Sequence, residues 1–142
     1  MEFDLGLLGF AASLSLAGIG SALGMGFAGQ AAIGAWKKCF ATGKPAPFTL
    51  VTFVGAPLTQ LFYGWILMGS LLSSTESPAK VFAAGLFGGL AMGASAMMQG
   101  KAGASAADAL AETGKGFTNY LMVVGLIETV ALFVMVFLML VV

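Results

Sequence analysis

FTNYLMVVGLIETVALFVMVFLMLVV, residues 117–142, carries one charged side chain, Glu128. A helix needs about 20 predominantly apolar residues to cross the hydrocarbon core of a bilayer, and this run exceeds that. Its apolar residues do not alternate with polar ones, which excludes a membrane-barrel strand. With no water to satisfy its backbone, the run is expected to be a membrane helix. Two questions follow: why such a helix holds a carboxylate, and what neutralises it.

Three more uncharged runs precede it, at 5–36, 49–74 and 81–100. Composition agrees: 59% of the 142 residues are hydrophobic and 8% charged, where a soluble domain has about a quarter charged. There is no His and no Arg, so the commonest general base, metal ligand and phosphate clamp are all missing from these residues. A single cysteine, Cys39, excludes an internal disulfide and a cysteine-based zinc site. The nine methionines and Cys39 point to packing and lipid contact rather than chemistry.

The expected fold is an all-α membrane protein of four transmembrane helices arranged as two tandem hairpins. The first hairpin is 1–72, with helices at about 4–36 and 48–72; a short outside connector, 73–79, follows. The second is 80–142, with helices at about 80–112 and 116–142, and it carries Glu128. Five of the six lysines, Lys37, Lys38, Lys44, Lys101 and Lys115, lie in the stretches 37–47 and 101–115. By the positive-inside rule those loops are cytoplasmic and both termini are outside, in the cell membrane. The acidic start, Glu2 and Asp4, predicts that the first helix is retained rather than cleaved as a signal peptide.

The chain also repeats. Thr42-Gly43-Lys44 returns as Thr113-Gly114-Lys115, and Phe48-Thr49 as Phe117-Thr118. Gly20, Gly24, Gln30 and Gly34 return 69 residues later as Gly89, Gly93, Gln99 and Gly103. The repeat sets Glu128 against Leu58 or Thr59, so one acid serves two hairpins. Helices 1 and 3 are slim, with small residues four apart (Gly85, Gly89, Gly93); helices 2 and 4 are thick with Phe62, Trp65, Phe133 and Phe137. Wedges of that shape close into a ring of identical copies by cyclic symmetry. The plainer alternative is that glycine is simply common in membrane helices and these pack within one monomer; the ring is the favoured reading.

Glu128 lies about eleven residues into the final span, roughly 16 Å at 1.5 Å per residue, near mid-bilayer. An acid there costs about 2.5–3.5 kcal/mol on insertion scales, and no lysine of this chain is at that depth. It is therefore protonated, bound to a metal cation, or paired with a cation from another chain. Gln99 and Glu128 are equidistant from the turn at Thr113–Gly114 and face each other. On helix 2, Thr59, Gln60 and Tyr63 share one edge, and Pro57 cannot donate to the carbonyl of Phe53. A carboxylate, two amide oxygens, a hydroxyl and a freed carbonyl suit a hard cation, Na⁺, more than a proton, which needs only the carboxylate. Gln30, without an acid in its own hairpin, is expected to be a packing glutamine.

Pro57-Leu58-Thr59-Gln60 with Tyr63, Gln99 and the Glu128-Thr129 pair on two tandem hairpins resembles the proteolipid rotor subunit of V/A-type rotary ATPases, in its sodium-binding branch. The likeness spans essentially the whole chain. It implies that Glu128, Gln99, Thr59, Gln60 and the backbone carbonyl of Ala56 bind Na⁺, with H⁺ the alternative, and that Tyr63 hydrogen-bonds the carboxylate. No other cofactor is implied. It also implies partners: identical copies in a ring, a stator membrane subunit supplying an arginine, a central-stalk subunit at the cytoplasmic loops, and membrane lipid, but no nucleic acid. The chain would not be an enzyme alone, since ATP is turned over in a separate headpiece. A small ion-coupled secondary transporter with a membrane-embedded Glu is the rival. Such exporters resemble this chain less, since they carry the acid in the first span and lack the hairpin duplication.

Overall fold

A computed structural model describes residues 4–142. Helix α1 spans Leu5–Ala41, α2 Leu50–Gly55, α3 Thr59–Leu72, α4 Pro78–Thr113 and α5 Phe117–Met139; a 3₁₀ turn, Ala56–Leu58, joins α2 to α3. Among the described residues, four helices, with Leu50–Leu72 counted as one, are long and apolar enough to cross a membrane. The chain is a multi-pass, all-helical membrane protein.

Local chemistry sets the ends. The Asp4 carboxylate accepts from the amide of Gly6 at 2.8 Å and caps α1. Ser77 caps α4 just before Pro78, whose fixed φ suits the first helical turn. Gly114 ends α4 at φ 66°, a left-handed conformation that a side chain would strain. The uncharged run predicted that α1 stops near residue 36, but the helix continues to Ala41. Absence of charge marks the edge of the hydrocarbon, not the end of the helix. Lys37 and Lys38 are exposed, and cations are favoured in a last helical turn. Trp36 then donates its indole N–H to the carbonyl of Pro47 at 2.8 Å and ties down the connector.

The slim helices α1 and α4 run parallel and touch along most of their length. Gly9 meets Gly85, Gly20 meets Gly93 and Gly24 meets Gly100, and at each a Cβ would collide with the facing backbone. In lipid, where apolar side chains gain nothing by leaving water, such backbone contact supplies the attraction between helices.

These contacts follow a register of their own, distinct from the repeat read in the sequence. They join residues separated by 76, 73 and 76 positions, whereas the repeat relates like residues 69 apart. At a shift of 75, every buried residue of α1 from Gly6 to Ala35 falls on a buried residue of α4; Ala17 falls on Met92 and Ser21 on Ala96. At 69, Ala17 falls on half-buried Leu86 and Ser21 on exposed Leu90. Gln30, the repeat counterpart of Gln99, has different surroundings: Gln99 is buried and Gln30 is not. It is exposed on α1, one to two turns nearer the loop end, and does not pack against another glutamine.

Candidate ion site

Pro57 starts the site. Lacking an N–H, it leaves the Phe53 carbonyl without its helical donor, and the chain tightens into the 3₁₀ turn. The Phe53 carbonyl instead turns towards Gly103 of α4, where a Cβ would sit 2.9 Å from it. The carbonyl of Ala56 accepts from the Thr59 hydroxyl at 3.0 Å. That hydroxyl also lies 3.1 Å from Oε1 of Gln60.

Gln60 and Gln99 are fully buried. Gln60 Nε2 donates to Gln99 Oε1 at 2.8 Å. Gln99 Nε2 in turn donates to the Val124 carbonyl and to Glu128 Oε2, both at 3.1 Å. The other carboxylate oxygen, Oε1, accepts from the Tyr63 hydroxyl at 2.7 Å. Ala56, Thr59, Gln60, Gln99, Glu128 and Tyr63 thus form one unbroken chain of polar contacts across α3, α4 and α5. All six residues singled out in the sequence meet in it.

The sequence reading missed one supporting residue. Ser95 donates to the carbonyl of Ile127 at 2.9 Å and pins α5 immediately before Glu128. Its signal was available: a serine one helical turn before Gln99 on the same helix. Thr129, by contrast, bonds the Leu126 carbonyl of its own helix at 2.6 Å and does not join the network.

Every donor to Glu128 is neutral. Among the described residues, the salt bridges are Lys38–Glu112 at 3.5 Å and Lys80–Glu76 at 2.8 Å, both at the exposed ends of helices. A half-buried carboxylate among apolar helices without a counter-charge favours uptake of any small cation that reaches it. The ligand set can adapt. Turning the Gln99 amide by half a turn puts its oxygen at the carboxylate; the Gln60 amide, which now donates to that oxygen, then has to turn too, and the Val124 carbonyl loses its donor.

Residues 82–141, which include Gln99 and Glu128, match the family model for the C subunit of ATP synthase. The chain is also 35% identical over 132 residues to the A-type ATP synthase subunit K of Methanocaldococcus jannaschii. That alignment covers 91% of this chain and 57% of the relative, so the chain spans little more than half the length of the curated protein it matches.

Proposed function

Because its second hairpin matches the ATP synthase C-subunit family and most of its length aligns with an A-type subunit K, we propose that this chain is a rotor proteolipid of a V/A-type rotary ATPase that carries Na⁺ at Glu128. The observation that supports this reading is a chain of polar contacts, rich in oxygens, that ends on one uncompensated carboxylate. Ala56 O, Thr59 Oγ1, Gln60 Oε1 and Gln99 Oε1 all belong to the polar chain that ends on Glu128. An oxygen-only set of this kind suits a hard monovalent cation. The ion is cargo. It enters as the Gln99 and Gln60 amides turn their oxygens inward, and the Tyr63 hydroxyl holds the carboxylate in place meanwhile.

In this reading identical copies form a ring with both termini outside and the loops 37–47 and 101–115 in the cytoplasm. A stator subunit supplies the arginine that these residues lack and displaces the ion from Glu128 as each copy passes. A central-stalk subunit meets the loops, and a separate headpiece makes or hydrolyses ATP. The chain is not an enzyme by itself. One observation favours a proton as cargo instead: Gln99 presents its NH₂ to Glu128, and that arrangement is complete without a cation.

Labelling of Glu128 by a hydrophobic carbodiimide tests the choice, because the reagent attacks the protonated acid. Raising the pH leaves more ionised carboxylate for Na⁺, so protection by a fixed Na⁺ concentration is expected to grow as pH rises. Labelling that follows pH and ignores Na⁺ would assign the site to protons. The ligand roles are separately testable. Gln60→Ala or Gln99→Ala removes a contact to a charged site, worth about 1.5–3 kcal/mol, so Na⁺ binding is expected to weaken roughly 10- to 100-fold with assembly intact. Unchanged Na⁺ affinity in both variants rules those ligands out.

A further inference from the structure

One buried hydroxyl stands idle in this arrangement. Ser21 of α1 is 3% exposed, and among the described residues its Oγ is the buried side-chain polar atom without a hydrogen-bond partner. A serine inside a helix ordinarily bonds a carbonyl one turn back. Ser105 does so to Lys101, and Ser13 bonds Phe10 of its own helix as well as Gly64 of α3. Ser21 makes neither kind of bond. A buried hydroxyl left unpaired costs free energy, so it calls for a partner that another arrangement of the site supplies.

Its position names that partner. Ala17 and Gly18 meet α3 at Gly64 and Leu61, and Gly24 meets the 3₁₀ turn at Pro57. These contacts run in opposite directions along the two segments. Ser21 lies between them, one turn after Ala17 on the same face of α1, which sets it at the level of Gln60. Gln60 is fully buried and has a donor to spare. Of the two N–H groups on its Nε2, one goes to Gln99 Oε1, and among the described residues the other has no acceptor. Loading, in the reading above, turns the Gln60 oxygen towards the site. Its NH₂ then swings to the side where Oε1 now meets Thr59 Oγ1. Both N–H groups need acceptors there, and the Thr59 hydroxyl takes one. We infer that Ser21 Oγ takes the other and so holds the turned amide. Ser21 is a positioning residue for the cargo, idle with the amides as they stand and bonded once they turn. The inference rests on the sodium reading and adds to the site a helix, α1, that supplies none of the ligands.

The readout is the Na⁺ concentration that half-protects Glu128 from carbodiimide in the detergent-solubilised protein at fixed pH. Ser21→Ala is expected to raise it roughly 3- to 10-fold, the loss of one neutral hydrogen bond. Labelling without Na⁺ is expected to stay as in the parent. Thermal unfolding without Na⁺ is expected to come no lower, because alanine removes a group that had no partner. A serine that only supports the fold would do the reverse, lowering the unfolding midpoint and leaving the Na⁺ concentration alone. In a Gln60→Ala background there is no amide to hold, so Ser21→Ala is expected to change nothing further. An unshifted half-protection concentration overturns the role of Ser21. So does an equal shift in the Gln60→Ala background, or a lower midpoint without Na⁺. Each of these leaves the sodium reading standing as long as Na⁺ protects the parent. If Na⁺ protects the parent at no pH, the sodium reading fails and this inference fails with it.

Discussion

Glu128→Gln is expected to reduce ATP-driven cation transport by the assembled complex to background, while the protein still inserts and assembles. Glutamine keeps the size of the side chain and an oxygen for the Tyr63 hydroxyl, which now bonds Glu128 at 2.7 Å. Among the described residues it removes the only negative charge at that depth, and with it the ability to exchange a cation. Insertion is expected to be no worse, because a neutral amide is less costly in lipid than an acid. The check is transport in reconstituted vesicles, alongside the native mass of the assembly. Transport above a tenth of the parental rate would mean that another group carries the ion. Loss of the assembly itself would mean that the carboxylate is structural.

Gly20→Leu is expected to destabilise the chain by about 3 kcal/mol or more, among the largest effects of any single substitution. A Cβ at Gly20 collides with the backbone of Gly93, and a backbone cannot swing aside as the tip of a side chain can. The two helices would have to separate along the contact that holds the hairpins together. Gly26→Leu is the control, since nothing lies within 4 Å of a Cβ built there. Replacing a helical glycine at an open position tends to stabilise slightly. Thermal unfolding of the two purified variants in the same detergent should separate them clearly. Equal midpoints would show that the contact between α1 and α4 contributes little.

Much of this architecture is legible in the sequence because lipid imposes simple rules. Runs without charge mark the four spans, and the distance of Gln99 and Glu128 from one turn predicts that they face each other. The polar edge of Thr59, Gln60 and Tyr63 follows from helical spacing. What stays hidden has physical reasons. The uncharged run ends before α1 does because Lys37 and Lys38 continue the helix after the hydrocarbon stops. The repeat says which residues are alike but not which ones touch, and the facing glycines supply those contacts. Pro57 announces a disturbed helix but not its form, a single 3₁₀ turn that redirects the Phe53 carbonyl to Gly103. The direction of the Gln99 amide has no signature in sequence, since both orientations use the same residues.

The polar chain at Glu128 crosses the boundary between the two halves of the molecule: Thr59, Gln60 and Tyr63 come from the first hairpin, Gln99 and Glu128 from the second. Cargo held there acts as a removable cross-link between the halves. A ligand at a hundred times its dissociation constant adds about 2.7 kcal/mol to the folded state that binds it. In the proposed rotor each copy would be tied most tightly at this site while loaded; after discharge Tyr63 and the glutamines still bridge the hairpins there, beside the glycine contacts of α1 and α4. On the rotor reading proposed above, that loosening would follow the unloaded site from copy to copy.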